Sequence, residues 1–278
     1  MKEFRETVYA YYAKEGRHNL PWRLTDDPYA VLLSEIMLQQ TQVNRVITQF
    51  PLFLSAYPSV KELSTASTQE LLSLWSGLGY NRRALWLKEA AQRLIEEHGG
   101  SVPADPNTLA ALKGIGYATA CAVVTYSYNI PVVFIETNIR TVFLHHFFPE
   151  QSGVHDRELL PLVEEALDRS NPRKWYSALM DYGVYLKKTF KNPAKKSFHY
   201  TKQTPFKGSD RQIRGWIVKT LSEGSISGIT CDELYEYFLG EKNLEGQERS
   251  RERFKKILSG LEQDGLVSLH GKRIAINS

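Results

Sequence analysis

Cysteine is nearly missing from this chain: 278 residues contain two, Cys121 and Cys231. Two thiols so far apart supply no disulfide framework, no cysteine-based zinc site and no iron–sulfur cluster. Long apolar runs are missing too. None approaches the roughly 20 residues of a membrane-spanning helix, so no membrane partner is expected. The opening Met-Lys-Glu-Phe-Arg-Glu is too charged to begin a secretory signal, and a cytoplasmic location is expected. A dominant charge is likewise absent. The 35 Lys and Arg against 31 Asp and Glu leave a net +4, which permits nucleic-acid binding without demanding it.

With 42% hydrophobic and 24% charged residues, the chain has the composition of a folded globular protein. Up to about Tyr185 the periodicity is helical. Val31 to Phe50, Gln69 to Trp75, Ala84 to His98 and Arg157 to Leu167 all carry apolar residues three and four apart. Ser67 with Glu70 reads as a capping box, and Gly77-Leu78-Gly79 and Gly99-Gly100 read as helix ends. From Tyr182 to Ser209 there are seven lysines and no acid. Such a run is either a solvated linker or a series of phosphate contacts. Beyond it, Arg211 to Leu221, a helix capped by Thr230, and Arg251 to Glu262 precede a hairpin signal. In that signal Leu266–Leu269 and Arg273–Ile276 flank His270-Gly271-Lys272. The pattern predicts a mostly α protein: a helical domain over 1–191, a lysine-rich linker over 192–208 and a small winged-helix-like domain over 209–278.

Four segments carry candidate chemistry. Leu20-Pro21-Trp22-Arg23 is followed by Glu35 among Leu32, Leu33, Ile36 and Leu38. A carboxyl in apolar surroundings holds its proton to higher pH and can act as a general acid, although most helix glutamates are simply exposed. Gln39, Gln40, Thr41 and Gln42 follow it with hydrogen-bonding side chains suited to entering a duplex. Trp75-Ser76-Gly77-Leu78-Gly79-Tyr80 presents Tyr80 at a turn, or is an ordinary helix cap with a core tyrosine. Lys113-Gly114-Ile115-Gly116 leads into an Ala-rich helix, aiming backbone N–H groups at an anion or simply joining two helices. Val133-Phe134-Ile135-Glu136-Thr137-Asn138-Ile139-Arg140 brings a second carboxylate, which either divides acid and base roles with Glu35 or caps a helix and pairs with Arg140.

In this order the four segments resemble the helix-hairpin-helix DNA glycosylases over about residues 5 to 187. Leu-Pro-Trp-Arg and Glu-x-Met-Leu-Gln-Gln-Thr-Gln-Val look like the adenine-removing MutY branch. The resemblance implies a two-lobed helical fold and a role for each matching position. Glu35 matches the purine-protonating glutamate. Glu136 matches the aspartate that stabilises the oxocarbenium-like sugar, and Asn138 its neighbouring asparagine. Trp22, Arg23 and Leu38 match walls of the flipped-base pocket. Gln40, Thr41, Leu78 and Tyr80 match the wedge beside the opposing base. Lys113, Gly114 and Gly116 match the phosphate-gripping hairpin, with a possible monovalent cation and no other metal. The implied partner is double-stranded DNA holding a mismatched or damaged base, met by a nucleoid-associated monomer.

The chain departs from that pattern in four places. Glu136 is one methylene longer than the family's aspartate. Ala118 stands where endonuclease III-type enzymes carry a Schiff-base lysine, so a monofunctional enzyme that leaves an abasic site is expected. Lys187 falls where the first cluster cysteine would be, so no iron–sulfur cluster and no other cofactor is expected. Nothing after Ser209 resembles the Nudix-like domain with which MutY recognises 8-oxoguanine, which shifts the expected substrate to adenine opposite guanine or another mispair. Removal of thymine or uracil opposite guanine is the alternative enzyme, and a catalytically silent lesion-binding protein the alternative class.

Overall fold

The computed structural model describes residues 1–223, 229–241 and 250–277. Its helices are α1 (Lys2–Glu15), α2 (Pro28–Leu38), α3 (Val43–Ala56), α4 (Val60–Ser64), α5 (Thr68–Leu74), α6 (Arg82–His98) and α7 (Pro106–Ala110). They continue as α8 (Tyr117–Tyr128), α9 (Thr137–Phe147), α10 (Asp156–Ala166), α11 (Pro172–Thr189), α12 (Asp210–Ser222), α13 (Cys231–Gly240) and α14 (Arg251–Gln263). Short 3-10 turns at Pro21–Arg23 and Pro193–Lys196 and a hairpin, β1 (Val267–His270) with β2 (Arg273–Ile276), complete the elements of the described residues, which are mostly helical. Among the described residues no helix is long and apolar enough to cross a membrane.

The chain divides into two compact units, each made of two stretches: Met1–Glu35 with Val102–Lys202, and Ile36–Ser101 with Gln203–Ser278. In the first unit α11 packs against α9 and α1. Trp175, Tyr176, Ala178 and Leu179 are sealed among Ile139, Val142, Phe143, Phe4 and Val8. Phe4 sets its ring edge-on to Phe143 at 5.3 Å and Trp175 at 5.9 Å. Each such buried side chain contributes about 1.5–3 kcal/mol. Asn171 caps α11 from the Lys174 N–H, with Pro172 pre-set at the first helical position. Arg5 donates from Nε to the Ala166 carbonyl at 2.9 Å, placing a cation on the negative end of α10.

The lysine-rich run begins inside this unit. Pro193 and Ala194 are buried, and Ser197 bridges in parallel to Val154. The Lys196 ammonium bonds the carbonyls of Phe148 and Pro149.

The second unit buries Val46, Phe50, Phe53, Leu71, Trp75 and Leu87. Ser67 caps α5 by accepting from the Glu70 N–H at 3.2 Å, as its sequence predicts. The helical periodicity over Val31 to Phe50 resolves into two helices. The chain breaks where Gln39 to Gln42 offer no apolar face, and Gln40 turns to φ +55°. Within the same unit α12 packs on α5, burying Ile213, Ile217 and Leu221. Thr230 and Glu233 form the capping box of α13. The hairpin pairs Val267 with Ile276 and His270 with Arg273. Among the described residues three helices and a two-stranded hairpin follow in the expected order, with the first strand one residue later than its apolar run suggested, and they belong to one compact unit with residues 36–101.

Candidate active site

Glu35 lies on α2, whose neighbouring side chains Val31, Leu32, Leu33 and Ile36 are all buried. The residue keeps some accessible surface, yet its carboxyl is set deep in protein. Burial first, and the charge of Glu136 second, push that carboxyl from 4.5 up to about 8, against the pull of Arg23. A carboxylic acid that keeps its proton at neutral pH is a proton donor.

Glu136 is the N-cap of α9. Its Oε1 accepts the N–H groups of Asn138 at 2.6 Å and Ile139 at 3.0 Å. Among the described residues nothing donates to Oε2, which leaves one oxygen uncommitted. Burial raises its pKa, while the helix amides, Lys187 and Arg140 work in the other direction. The cap alternative raised by the sequence is therefore real, but the Arg140 alternative is not. Arg140 donates instead to both oxygens of Asp156, each at 2.7 Å.

Asn138 is fixed from two sides. Its Oδ1 accepts Lys187 Nζ at 2.8 Å. Gly183 of α11 lies so close that an added Cβ would meet the Asn138 carbonyl oxygen at 2.5 Å. Only glycine permits that approach. Burial lowers the pKa of Lys187, and Glu136 opposes the shift.

Arg23 belongs to a second charged cluster. Buried Asp181 accepts from Arg23 Nη1 at 2.7 Å and Nη2 at 3.0 Å, and from the backbone and Nε of Arg17 at 2.7 Å each. Burial alone would raise Asp181, but the two arginines hold it below the usual carboxylate range. Trp22 beside Arg23 is buried. In the hairpin between α7 and α8, Gly114 adopts φ +83° and Gly116 caps α8. Lys113 is exposed, and Ala118, one residue into α8, presents a methyl group.

The wedge candidates lie in the second unit, as does Leu38 at the end of α2. Gln40 and Tyr80 are exposed, whereas Leu78 is 2% exposed. The Leu78 side chain is thus core, and its carbonyl does the positioning by accepting from Thr41 Oγ1 at 2.8 Å. Buried Arg83 binds these parts together. It donates to the carbonyls of Ile36 at 2.6 Å, Met37 at 3.0 Å and Gly79 at 2.9 Å, and to Thr41 Oγ1 at 2.9 Å.

The motifs did not single out Arg83, Asp181 or Tyr126. Tyr126 stands on α8, where burial, then the charge of Glu35, drive its phenol far above its ordinary range, with Glu136 adding and Arg23 opposing. Glu35, Glu136, Arg23 and Tyr126 thus share one electrostatic neighbourhood within the first unit.

The chain is similar to several known proteins. Residues 33–165 match the model of the HhH-GPD superfamily base excision DNA repair protein family. Its curated relatives include an adenine DNA glycosylase of Buchnera aphidicola subsp. Baizongia pistaciae, 32% identical over 184 residues, covering 66% of this chain and 52% of the relative. An adenine DNA glycosylase of Mycobacterium tuberculosis is 40% identical over 134 residues, covering 48% of this chain and 44% of the relative. The chain therefore spans about half the length of these relatives. Among solved structures, a thermostable thymine-DNA glycosylase superposes with a TM-score of 0.62 at 26% identity, covering 69% of this chain and 89% of that one.

Proposed function

We propose that this protein is a monofunctional DNA glycosylase that hydrolyses the N-glycosidic bond of a flipped mismatched or damaged base, with adenine the favoured target. The observation that carries this reading is the pair of coupled, unlike carboxyl groups. Glu35 holds a proton up to about pH 8, while Glu136 is braced by two helix amides. In the proposed reaction Glu35 donates its proton to a ring nitrogen of the base, and the C1′–N bond breaks with its electrons moving onto the base. The Glu136 carboxylate, through Oε2, stabilises the positive sugar; the oxygen of a water molecule then bonds to C1′, and the proton it releases returns to the Glu35 carboxylate, leaving the abasic product. Asn138 orients the sugar side, and Lys187 holds Asn138 in place. Base extrusion from the duplex costs a few kcal/mol, which wedge and hairpin contacts offset. Adenine is favoured over a pyrimidine because a purine leaves readily once its ring nitrogen is protonated.

Ala118 offers no amine for a Schiff base, which supports hydrolysis without strand cleavage. The proposed partner is double-stranded DNA, bound by a monomer in the cytoplasm, with a monovalent cation as the one candidate ion, at the hairpin. Thymine or uracil opposite guanine is the second reading, favoured by the superposition on a thymine-DNA glycosylase.

Single-turnover excision on A:G, A:8-oxoguanine, T:G and U:G duplexes, with and without hot alkali, separates these readings. Alkali-dependent breakage at adenine, lost in Glu35→Gln and Glu136→Gln, is the expected result. Breakage only at thymine or uracil selects the second reading. Tight binding without any breakage leaves a catalytically silent DNA-binding protein.

A further inference from the structure

From Lys188 to Lys202 the first unit carries five lysines and no acid. Lys188, Lys191, Lys195 and Lys202 are exposed. On the neighbouring helices Glu15 pairs with Lys14 at 3.6 Å and Asp156 with Arg140 at 2.7 Å, so neither carboxylate serves these lysines. A row of lysines alone fits any polyanion, or water. Two observations narrow that choice.

The first is anchorage. The Val154 N–H donates to the Lys196 carbonyl at 3.0 Å, and the Phe198 N–H to the Val154 carbonyl at 2.9 Å. Asn192 turns to φ +47° and caps the buried Pro193–Lys196 turn. The Lys196 ammonium bonds the carbonyls of Phe148 and Pro149, and its charge reaches His145 on α9. A solvated linker has no such ties. This stretch is part of the surface of the first unit.

The second is a set of aromatic rings between the lysines. Tyr185, Phe190, Phe198 and Tyr200 are 38%, 43%, 63% and 39% exposed. Four rings left in water along one short stretch forgo the stabilisation that burial would give, and such patches mark interaction surfaces. Three of them are held in place by other rings. Tyr185 lies 4.9 Å from Tyr11 and Phe190 4.6 Å from His145, and Phe198 stacks on His155 at 4.0 Å and 26°. A ring backed on one side and open on the other loses little freedom when a planar partner stacks on it. A duplex covers the faces of its own bases, so it would use the lysines and leave the rings idle. A single strand offers phosphates and open base faces together, which lysines interleaved with aromatic rings are suited to hold.

We infer that the surface built by the end of α11 and residues 188–202 binds single-stranded DNA, with Phe190 and Phe198 stacking on unpaired bases and Lys188, Lys191 and Lys195 meeting phosphates. The choice of DNA rests on the glycosylase reading of the same unit; the stacking and the charge do not. The surface lies beyond the family match at 33–165 and is separate from the carboxyl pair.

The test is fluorescence anisotropy with the full chain, using oligothymidine, oligouridine and an undamaged duplex, with excision of the A:G duplex measured in parallel. Phe190→Ala and Phe198→Ala should each weaken oligothymidine binding at least about fivefold, and duplex binding less than about twofold. Phe198→Leu, which keeps apolar bulk without a ring, should lose as much, and Phe198→Trp should restore the affinity. Lys188→Gln and Lys191→Gln should each lower the salt slope for oligothymidine by about 0.7. Thermal melts confirm folding, and the Phe198 series carries the test if Phe190→Ala does not fold. Oligothymidine affinity that survives both alanine variants, or an equal loss on the duplex, overturns the inference. So do a wild type that ignores oligothymidine and one that prefers oligouridine. Ring-dependent binding without excision would support the surface while refuting the glycosylase reading. Excision without single-strand binding would do the reverse, so the two can fail separately.

Discussion

Replacing Glu35 with Gln should abolish excision and yet make the protein more stable at high pH. An unfolded chain releases the Glu35 proton near 4.5, while the folded protein holds it to about 8. Between those values the unfolded state gains by ionising and the folded state does not. Wild-type stability therefore falls as pH rises through this window and levels off above 8. Each pH unit across it costs about 1.4 kcal/mol, giving a ceiling of about 5 kcal/mol. The side chain's partial access to solvent brings the expectation nearer 2–3 kcal/mol, on the same linkage argument. Gln carries no titrating proton, so its own fit to the site adds a constant that pH does not change. Urea unfolding of both proteins at pH 5, 6.5 and 8 isolates the difference. The advantage of Glu35→Gln should grow steadily over that series. A difference that stays flat, or shrinks toward pH 8, would show that Glu35 ionises normally and would remove the proton donor from the proposed reaction.

Shortening Glu136 to Asp should keep the α9 cap, since Asp is a favoured N-cap residue, and should leave single-turnover excision within about tenfold of wild type, whereas Glu136→Gln should lose at least about 100-fold. Gly183→Ala drives a Cβ into the Asn138 backbone, so urea unfolding should report a loss of about 1–3 kcal/mol. Lys187→Met leaves Asn138 Oδ1 without its donor and removes a charge that favours ionised Glu136. The acid limb of its pH–rate profile should move to higher pH; an unmoved limb with wild-type rates would reduce Lys187 to a packing residue.

Much of the candidate site is legible in the sequence because its residues lie near helix ends. Glu35 stands among apolar residues next to a polar break, Glu136 opens α9, and Gly114 and Gly116 lead into α8. Each leaves a local signature that spacing rules detect. What escaped depends on contacts distant in sequence. Tyr126 sits in the last turn of α8, where a tyrosine reads as core. Lys187 reads as a missing cysteine, because its bond to Asn138 spans 49 positions. Arg83 reads as a surface residue of α6, yet it is 4% exposed because the open carbonyls at the end of α2 solvate it. Leu78, matched to the wedge by resemblance alone, packs its side chain at 2% exposure and has its carbonyl held by Thr41. The discontinuous second unit also has no local signal, since nothing in α5 announces that α12 will cover it.

The relative weight of the two causes acting on Glu35 can itself be tested, and it decides how the pair works. Burial is the larger cause and the Glu136 charge the smaller. If that order is right, Glu136→Gln should lower the Glu35 pKa only part of the way, leaving it well above 4.5. Carboxyl 13C NMR on Glu-labelled Glu136→Gln, titrated from pH 4 to 9, measures this directly. An intermediate value means that the apolar walls of α2 make Glu35 an acid before any second carboxylate acts, with Glu136 free to serve the sugar. A fall to the ordinary 4.5 means that the proton belongs to the pair rather than to Glu35. The proposed division of roles would then fail, because the same charge that stabilises the sugar would be needed to keep the donor protonated.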